Sequence, residues 1–305
     1  MPMFALRFLT GFILCATAGA AELSPAPVAV SPERAAERAW LASLPAAPKP
    51  ELTRHGFVAE ELRRWKPRGT SQGVAVDAHF FYGIGNYVVG KYDKLTGERL
   101  AEWVGLRGGP TIHLNGGIVQ DGQLVMAHSN FPQQPMASSV EYFDLATVQP
   151  VKSVSLGVRY GSLTWAEKKD GFWWACFAHY TDAAAGTDNR STLVGKFDEH
   201  WQLLESWIFP PQVVAPAATG GTGFAPLRDD GLLYTTGHDE KELYVLRLPK
   251  MGVALEYVTT IAVPFEGQSW AWDRSEKRVI YGINRSTGEV IVVRIPDLPE
   301  QLRQR

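Results

Sequence analysis

A short inner-strand motif recurs five times along this chain: QGVAV from Gln72, NGGIV from Asn115, SLTWA from Ser162, TGFAP from Thr222 and QSWAW from Gln268. The copies lie 43 to 60 residues apart, a period that marks an array of similar structural units. Each copy runs into an acidic turn, at Asp77, Asp121, Asp170, Asp230 and Asp273. A second apolar run follows each turn: FFYGIG, QLVMAH, FWWACFAH, LLYTTGH and RVIYGIN. Third runs read YVVGKYD, SVEYFD, TLVGKFD, ELYVLRLP and EVIVVRIP. All are β-branched or aromatic, a few residues long and bounded by Gly, Asp or Asn, as strands are.

Fourth strands follow in four copies, as RLAEWV, PVKSVSL, LLESWIF and LEYVTTIAV, but the fifth copy has none. FVAEELRRW, from Phe57 to Trp65, stands before the first inner strand where a fourth strand would stand, and supplies the missing one. A four-stranded sheet cannot bury both faces alone, and a ring closed by a terminal strand leaves no open edge. The expected fold is therefore all-β: a five-bladed β-propeller of four-stranded antiparallel blades, closed by an N-terminal strand and spanning residues 52–297. The acidic turns read as turn formers whose carboxylates hold local backbone N–H groups.

Outside the repeat, residues 1–20 carry Arg7, an apolar stretch FLTGFILCA and a small-residue Ala-Gly-Ala ending, the pattern of a signal peptide. The apolar stretch is shorter than the roughly 20 residues of a spanning helix, so export with cleavage is expected and stable membrane insertion is not. Residues 21–51 read as an Ala/Pro-rich linker with a short helix near Pro32, and residues 298–305 as a tail. Cleavage leaves Cys176 as the sole thiol, inside the apolar run FWWACFA, where burial raises a thiol pKa and makes it inert. A net charge of −2 gives no basic footprint for nucleic acid.

Strand order in a propeller places the loops entering inner strands and those leaving second strands at one end of the central channel. Four of the seven histidines fall there: His113, His128, His179 and His238. Three readings stay open. His113, His128, His179 and His238 could hold a divalent metal ion in the channel, since imidazoles from separate strands make such a site. His128, His179 and His238, with Asp239 and Glu266, could instead do acid–base catalysis. Or the polar groups line a wet mouth and nothing more. Gln72, Asn115, Asn130, Ser162, Thr222, Gln268 and Arg285 are the expected substrate-binding groups, with Trp270 as a stacking platform. Other tryptophans are expected in the seams between blades.

Some thirty residues of the opening repeat resemble the first blade of the plant-type glutaminyl-peptide cyclotransferases. The matching pieces are Ser71-Gln72-Gly73, Phe81-Tyr82 with Gly85, Tyr92-Asp93, and Leu95-Thr96-Gly97. That family carries a glutamate directly after the second-strand tyrosine; this chain has Gly83 there. The architecture is also similar to secreted lactonase-like and cyclase-like propellers. The resemblance implies a five-bladed propeller acting on a small polar or cyclic molecule at the channel mouth, by cyclisation, isomerisation or hydrolysis. The other expectation is a noncatalytic propeller that binds a ligand or protein on the same face.

Overall fold

Alternation along every central strand dictates the architecture. In a computed structural model of the chain, residues 32–46, 51–181, 186, 188–214, 224–226, 231–237 and 240–303 are described. They fall in two units, residues 1–49 and 50–305. Of the first, the described part is helix α1 (Pro32–Ser43), which starts on proline with Glu33 in its first turn. The expected signal peptide lies outside the described residues.

The second unit is a ring of five sheets. Strands β1 (Phe57–Val58) and β2 (Glu60–Trp65) precede blade 1, which is β3 (Gly73–Val76), β4 (Phe80–Ile84), β5 (Val88–Asp93) and β6 (Arg99–Val104). Blade 2 is β7 (His113–Gln120), β8 (Gln123–Ser129), β9 (Ser138–Asp144) and β10 (Pro150–Gly157). Blade 3 is β11 (Ser162–Lys169), β12 (Phe172–Ala178), β13 (Leu193–Phe197) and β14 (Leu203–Ile208). Blade 4 holds β15 (Phe224–Pro226), β16 (Leu232–Thr236), β17 (Glu242–Arg247) and β18 (Glu256–Ala262). Blade 5 holds β19 (Ala271–Asp273), β20 (Val279–Asn284) and β21 (Glu289–Arg294), and β2 is its fourth strand.

The blades stack because successive side chains in a strand point to opposite faces. In β12, Trp173, Ala175 and Phe177 enter the core shared with blade 2, while Trp174 and Cys176 enter the core shared with blade 4. In β16, Leu232 and Tyr234 pack on blade 5 and Leu233 on blade 3. Five apolar clusters result, one in each seam. Five seams close a five-bladed ring, and both faces of each sheet are buried without a disulfide. Cys176 is fully buried in the seam between blades 3 and 4.

The closing segment refines the expected arrangement. The nine residues from Phe57 do not form one strand. β2 pairs antiparallel with β21, from Glu60 opposite Arg294 to Trp65 opposite Val290. β1 pairs parallel with β18 of the neighbouring blade, Phe57 opposite Ile261 and Val58 opposite Ala262. The chain thus joins blades 4 and 5 before it enters blade 1.

Near the axis the inner strands crowd together, and this explains the glycine pair in blade 2. A Cβ on Gly116 would fall on Ser269 Oγ and within 2.9 Å of the Thr164 carbonyl, so blades 2, 3 and 5 meet there with no spare room. Gly116→Ala is therefore expected to cost about 1–3 kcal/mol through overpacking, read as a lower urea midpoint at unchanged m-value. An unchanged midpoint would mean that the strands can part freely at the axis.

Asp77 and Asp273 behave as expected, their carboxylates holding local backbone N–H groups, whereas the Asp121 carboxylate accepts from the Gln120 and Lys168 side chains. Asp77 Oδ1 accepts from the backbone N–H groups of His79 and Phe80, both at 2.7 Å, and Oδ2 from the Tyr82 hydroxyl at 3.0 Å. Asp121 and Asp170 take left-handed backbone, with φ of 50° and 51°. Asp230 lies outside the described residues.

Candidate functional site at the channel mouth

At the mouth, blade 1 supplies Gln72, whose buried amide donates to Asn86 Oδ1 at 2.8 Å. Blade 2 supplies His113 and Asn115, at the start of β7. The Asn115 amide donates to the Leu163 carbonyl of blade 3 at 2.8 Å, which ties two inner strands together. In blade 3, Ser162 donates to Ser129 Oγ at 2.9 Å. From blade 5 come Glu266, Gln268, Asn284 and Arg285; Ser286 donates to Glu266 at 3.2 Å and to Asn284 Oδ1 at 2.8 Å.

Two of these residues, His113 and Arg285, act at the mouth together with Tyr180, which the sequence pattern did not single out. His113 is 8% exposed, and its pKa is drawn down to about 4. Burial is the main cause, the charges of His128 and Arg285 add to it, and a hydrogen bond with Asn115 opposes it. The imidazole is neutral at pH 7. The Phe131 ring packs 5.1 Å from His113 and 4.7 Å from Tyr180, joining the two. Burial pushes the Tyr180 phenol up to about 12 against a hydrogen bond with Ser162 and the pull of Arg285. Arg285 therefore acts electrostatically on groups of blades 2 and 3 from blade 5. Its own side is constrained as well, because Gln268 holds a left-handed φ of 94°, with its carbonyl fixed by Thr236 Oγ1 at 2.9 Å. Strained non-glycine backbone of this kind concentrates where a side chain must be aimed.

The other expected site residues are placed differently. His128 does not face the mouth as a free ligand. Its Nε2 accepts from the Ile112 N–H at 3.1 Å, so the proton sits on Nδ1, 2.8 Å from Ser139 Oγ. Ser139 in turn donates to Glu141 at 2.5 Å. Both ring nitrogens are used inside blade 2 because His128 pairs directly across from Ser139 in the sheet. Burial lowers the His128 pKa, and Glu141 opposes that. His179 Nε2 donates to the Tyr160 carbonyl at 2.9 Å and buttresses the connection into blade 3. Asn130 is consumed in its own loop, donating to the Pro135 carbonyl at 3.0 Å and accepting from the Ala137 N–H at 2.7 Å.

Trp270 is not a platform at the mouth. It is 2% exposed, packed edge-on against Trp272 at 5.3 Å in the seam between blades 4 and 5, because an indole gains more from burial there than from a wet rim. Trp173 on Trp201 (4.7 Å) and Trp174 on Trp207 (5.8 Å) are seam residues as expected. Thr222, His238 and Asp239 lie outside the described residues. Among the described residues, no group of three or more His, Cys, Asp or Glu side chains is disposed to hold a metal ion.

Gly83 also finds its reason. A Cβ there would fall on the Thr70 hydroxyl, so the space a glutamate would need in blade 1 is already filled. The sequence signal for Tyr180 was its place just past the second strand, where blades 2 and 3 both carry mouth residues.

No family model matches the chain, and no curated protein matches it. Among solved structures, the chain is similar to a luciferin-regenerating enzyme, with a TM-score of 0.46 and 10% identity over 80% of this chain and 96% of that one. It is also similar to the β-propeller domain of Myceliophteria thermophila Cps50 (Swd1), at a TM-score of 0.40 and 10% identity over 73% of this chain and 83% of that one. The RRP9 WD40 repeats give a TM-score of 0.39 and 10% identity over 73% and 79%. The blade count itself stands on the strand pairing and the five seams.

Proposed function

We propose that this is an exported propeller enzyme that binds a small polar or cyclic molecule at the channel mouth and moves a proton on it. One observation carries this reading: a neutral imidazole (His113), a protonated phenol (Tyr180) and a guanidinium (Arg285) come from three different blades to one place. A phenol held protonated is a general acid. A neutral imidazole is an acceptor, and one with a lowered pKa hands its proton on readily. Arg285 stabilises negative charge that develops between them. Cyclisation, isomerisation and hydrolysis can each use such a set. The likeness of blade 1 to glutaminyl-peptide cyclotransferases supports a small-molecule reaction, but the glutamate position of that family is closed by Thr70, so His113 and Tyr180 take the proton-transfer roles here. The secretion-type N-terminus supports export, which N-terminal sequencing of the mature protein tests.

The second reading, a noncatalytic binding propeller, draws support from His128, His179 and Asn130, which are spent on internal bonds. Turnover separates the two. Purified protein is incubated with an N-terminal glutaminyl peptide and with a small lactone, and products are followed by mass spectrometry. Tyr180→Phe and Arg285→Ala are each expected to lower turnover roughly 10²-fold while the fold is kept. Full turnover in both variants would refute the assignment of the acid and the charge-stabilising group.

A further inference from the structure

Blade 2 carries a chain of hydrogen bonds whose direction is fixed at both ends. At one end stands the Ile112 N–H, which can only donate; at the other stands the Glu141 carboxylate, which accepts. His128 and Ser139 lie between them, so every proton in the chain points toward Glu141. The Ile112 N–H donates to His128 Nε2, His128 Nδ1–H to Ser139 Oγ, and the Ser139 hydroxyl to Glu141 Oε1. Glu141 is also held from β10, where Ser153 donates to the same oxygen at 2.9 Å. Three neighbouring strands thus impose one tautomer on His128, with its proton on Nδ1.

This tautomer holds the loop that leads into β7. Residues 106–112 include Gly108 at φ 75°, Gly109 and Pro110, and none of them is buried. Among the described residues, the loop makes one hydrogen bond to the rest of the chain, from the Ile112 N–H to His128 Nε2 at 3.1 Å. A segment with so few attachments lies at the low end of local stability. The next residue is His113, on whose imidazole the charge of His128 also acts.

We infer that His128 is a positioning residue: in its Nδ1–H form it latches the 106–112 loop and so fixes the backbone that presents His113 to the mouth. Its effect on turnover rests on the role proposed for His113 above; the latch itself does not. Protonation of His128 at Nε2 sets two N–H groups against each other and releases the loop. The charged and titratable groups around the ring are Glu141 on β9, with Oε1 3.8 Å from Nδ1, His113 on β7, and Arg107, the one charged side chain of the loop.

The test uses the full chain labelled with ¹⁵N, the His128 imidazole being assigned from His128→Gln. At pH 7 the ring is expected to show a protonated Nδ1 and an unprotonated Nε2, the rarer tautomer of a free imidazole. Ser139→Ala removes the acceptor for Nδ1–H, so the proton should move to Nε2 and Ile112 amide exchange should rise roughly tenfold. Leu114, whose N–H is bonded to the Asn86 carbonyl, should keep its protection. Ser139→Thr should restore both the tautomer and the slow exchange. A wild-type ring protonated at Nε2, or an Ile112 amide indifferent to Ser139→Ala, overturns the inference. Faster Ile112 exchange with unchanged turnover of the glutaminyl peptide and the lactone upholds the latch and refutes the part given to His113.

Discussion

Replacing Lys94 by alanine is expected to cost about 3–5 kcal/mol, because it strands a buried carboxylate. Lys94 lies in the turn after β5 and pairs with Asp273 of blade 5; their side chains are 7% and 0% exposed. Lys94 Nζ also donates to Ser275 Oγ at 2.9 Å and to the Asp77 carbonyl at 3.3 Å. Asp273 Oδ1 in turn accepts from the Ser275 N–H at 3.0 Å and its hydroxyl at 2.6 Å. With the ammonium gone, Asp273 keeps its bonds to Ser275 and loses its counter-charge. For a domain of this size the loss corresponds to a fall in Tm of roughly 6–20 °C. The double variant Lys94→Met/Asp273→Asn removes both charges and keeps the turn bonds to Ser275, so it should recover most of that stability. Urea midpoints of the two single variants and the double give the coupling. A double variant as unstable as Lys94→Ala would show that lost packing, not the stranded charge, is responsible.

Acidification should destabilise the ring well before its carboxylates titrate. His113 has a folded pKa of about 4, below its unfolded value near 6.5, so between those pH values the unfolded chain binds a proton that the folded one refuses. Its contribution is complete above pH 6.5 and is lost as pH falls toward 4. At pH 4.5 the expected loss relative to pH 7 is about 2.5 kcal/mol. His128 is shifted in the same direction and adds to it. The carboxylates Asp93, Asp144 and Glu289 have lowered pKa values, so their contributions disappear at more acidic pH. His113→Gln should flatten the profile between pH 7 and 4.5, measured as urea midpoints. Equal slopes in the two proteins would place the titrating group elsewhere. The same shift keeps the imbalance of charge at the mouth constant across the neutral range, with Arg285 positive and His113 not.

The blades were readable because their grammar is local. Each strand is short, each turn has its Asp or Gly, and two-faced burial forces runs such as FWWACFA and VIVV to be apolar throughout. The closing strand could be read as well, since a ring with one strand too few must borrow one. That Phe57–Val58 would leave β2 and pair with β18 could not, because two residues carry no periodicity. The mouth was legible only in part. Gln72, His113, Asn115 and Arg285 were assigned to the mouth by strand order alone. His128 and His179 occupy comparable positions in their blades, yet their ring nitrogens are claimed by Ser139, Ile112 and Tyr160, partners set by cross-strand register and loop path. Trp270 is instead buried in the seam between blades 4 and 5, a side-chain direction that composition does not carry. Tyr180 gave no signal beyond its position, since its role depends on Phe131 reaching over from another blade.

The double attachment of residues 57–65 also sets an order of events in time. Their partners, Glu256–Ala262 and Glu289–Arg294, stand some two hundred residues later in the chain. A ribosome delivers the chain from its N-terminus, so this segment waits unpaired until Glu289–Arg294 has been made. Pairings of such sequence separation are slow to form. Until then the blades already synthesised have no final seam, and the chain stays open. The ring locks only when Glu289–Arg294 has been made.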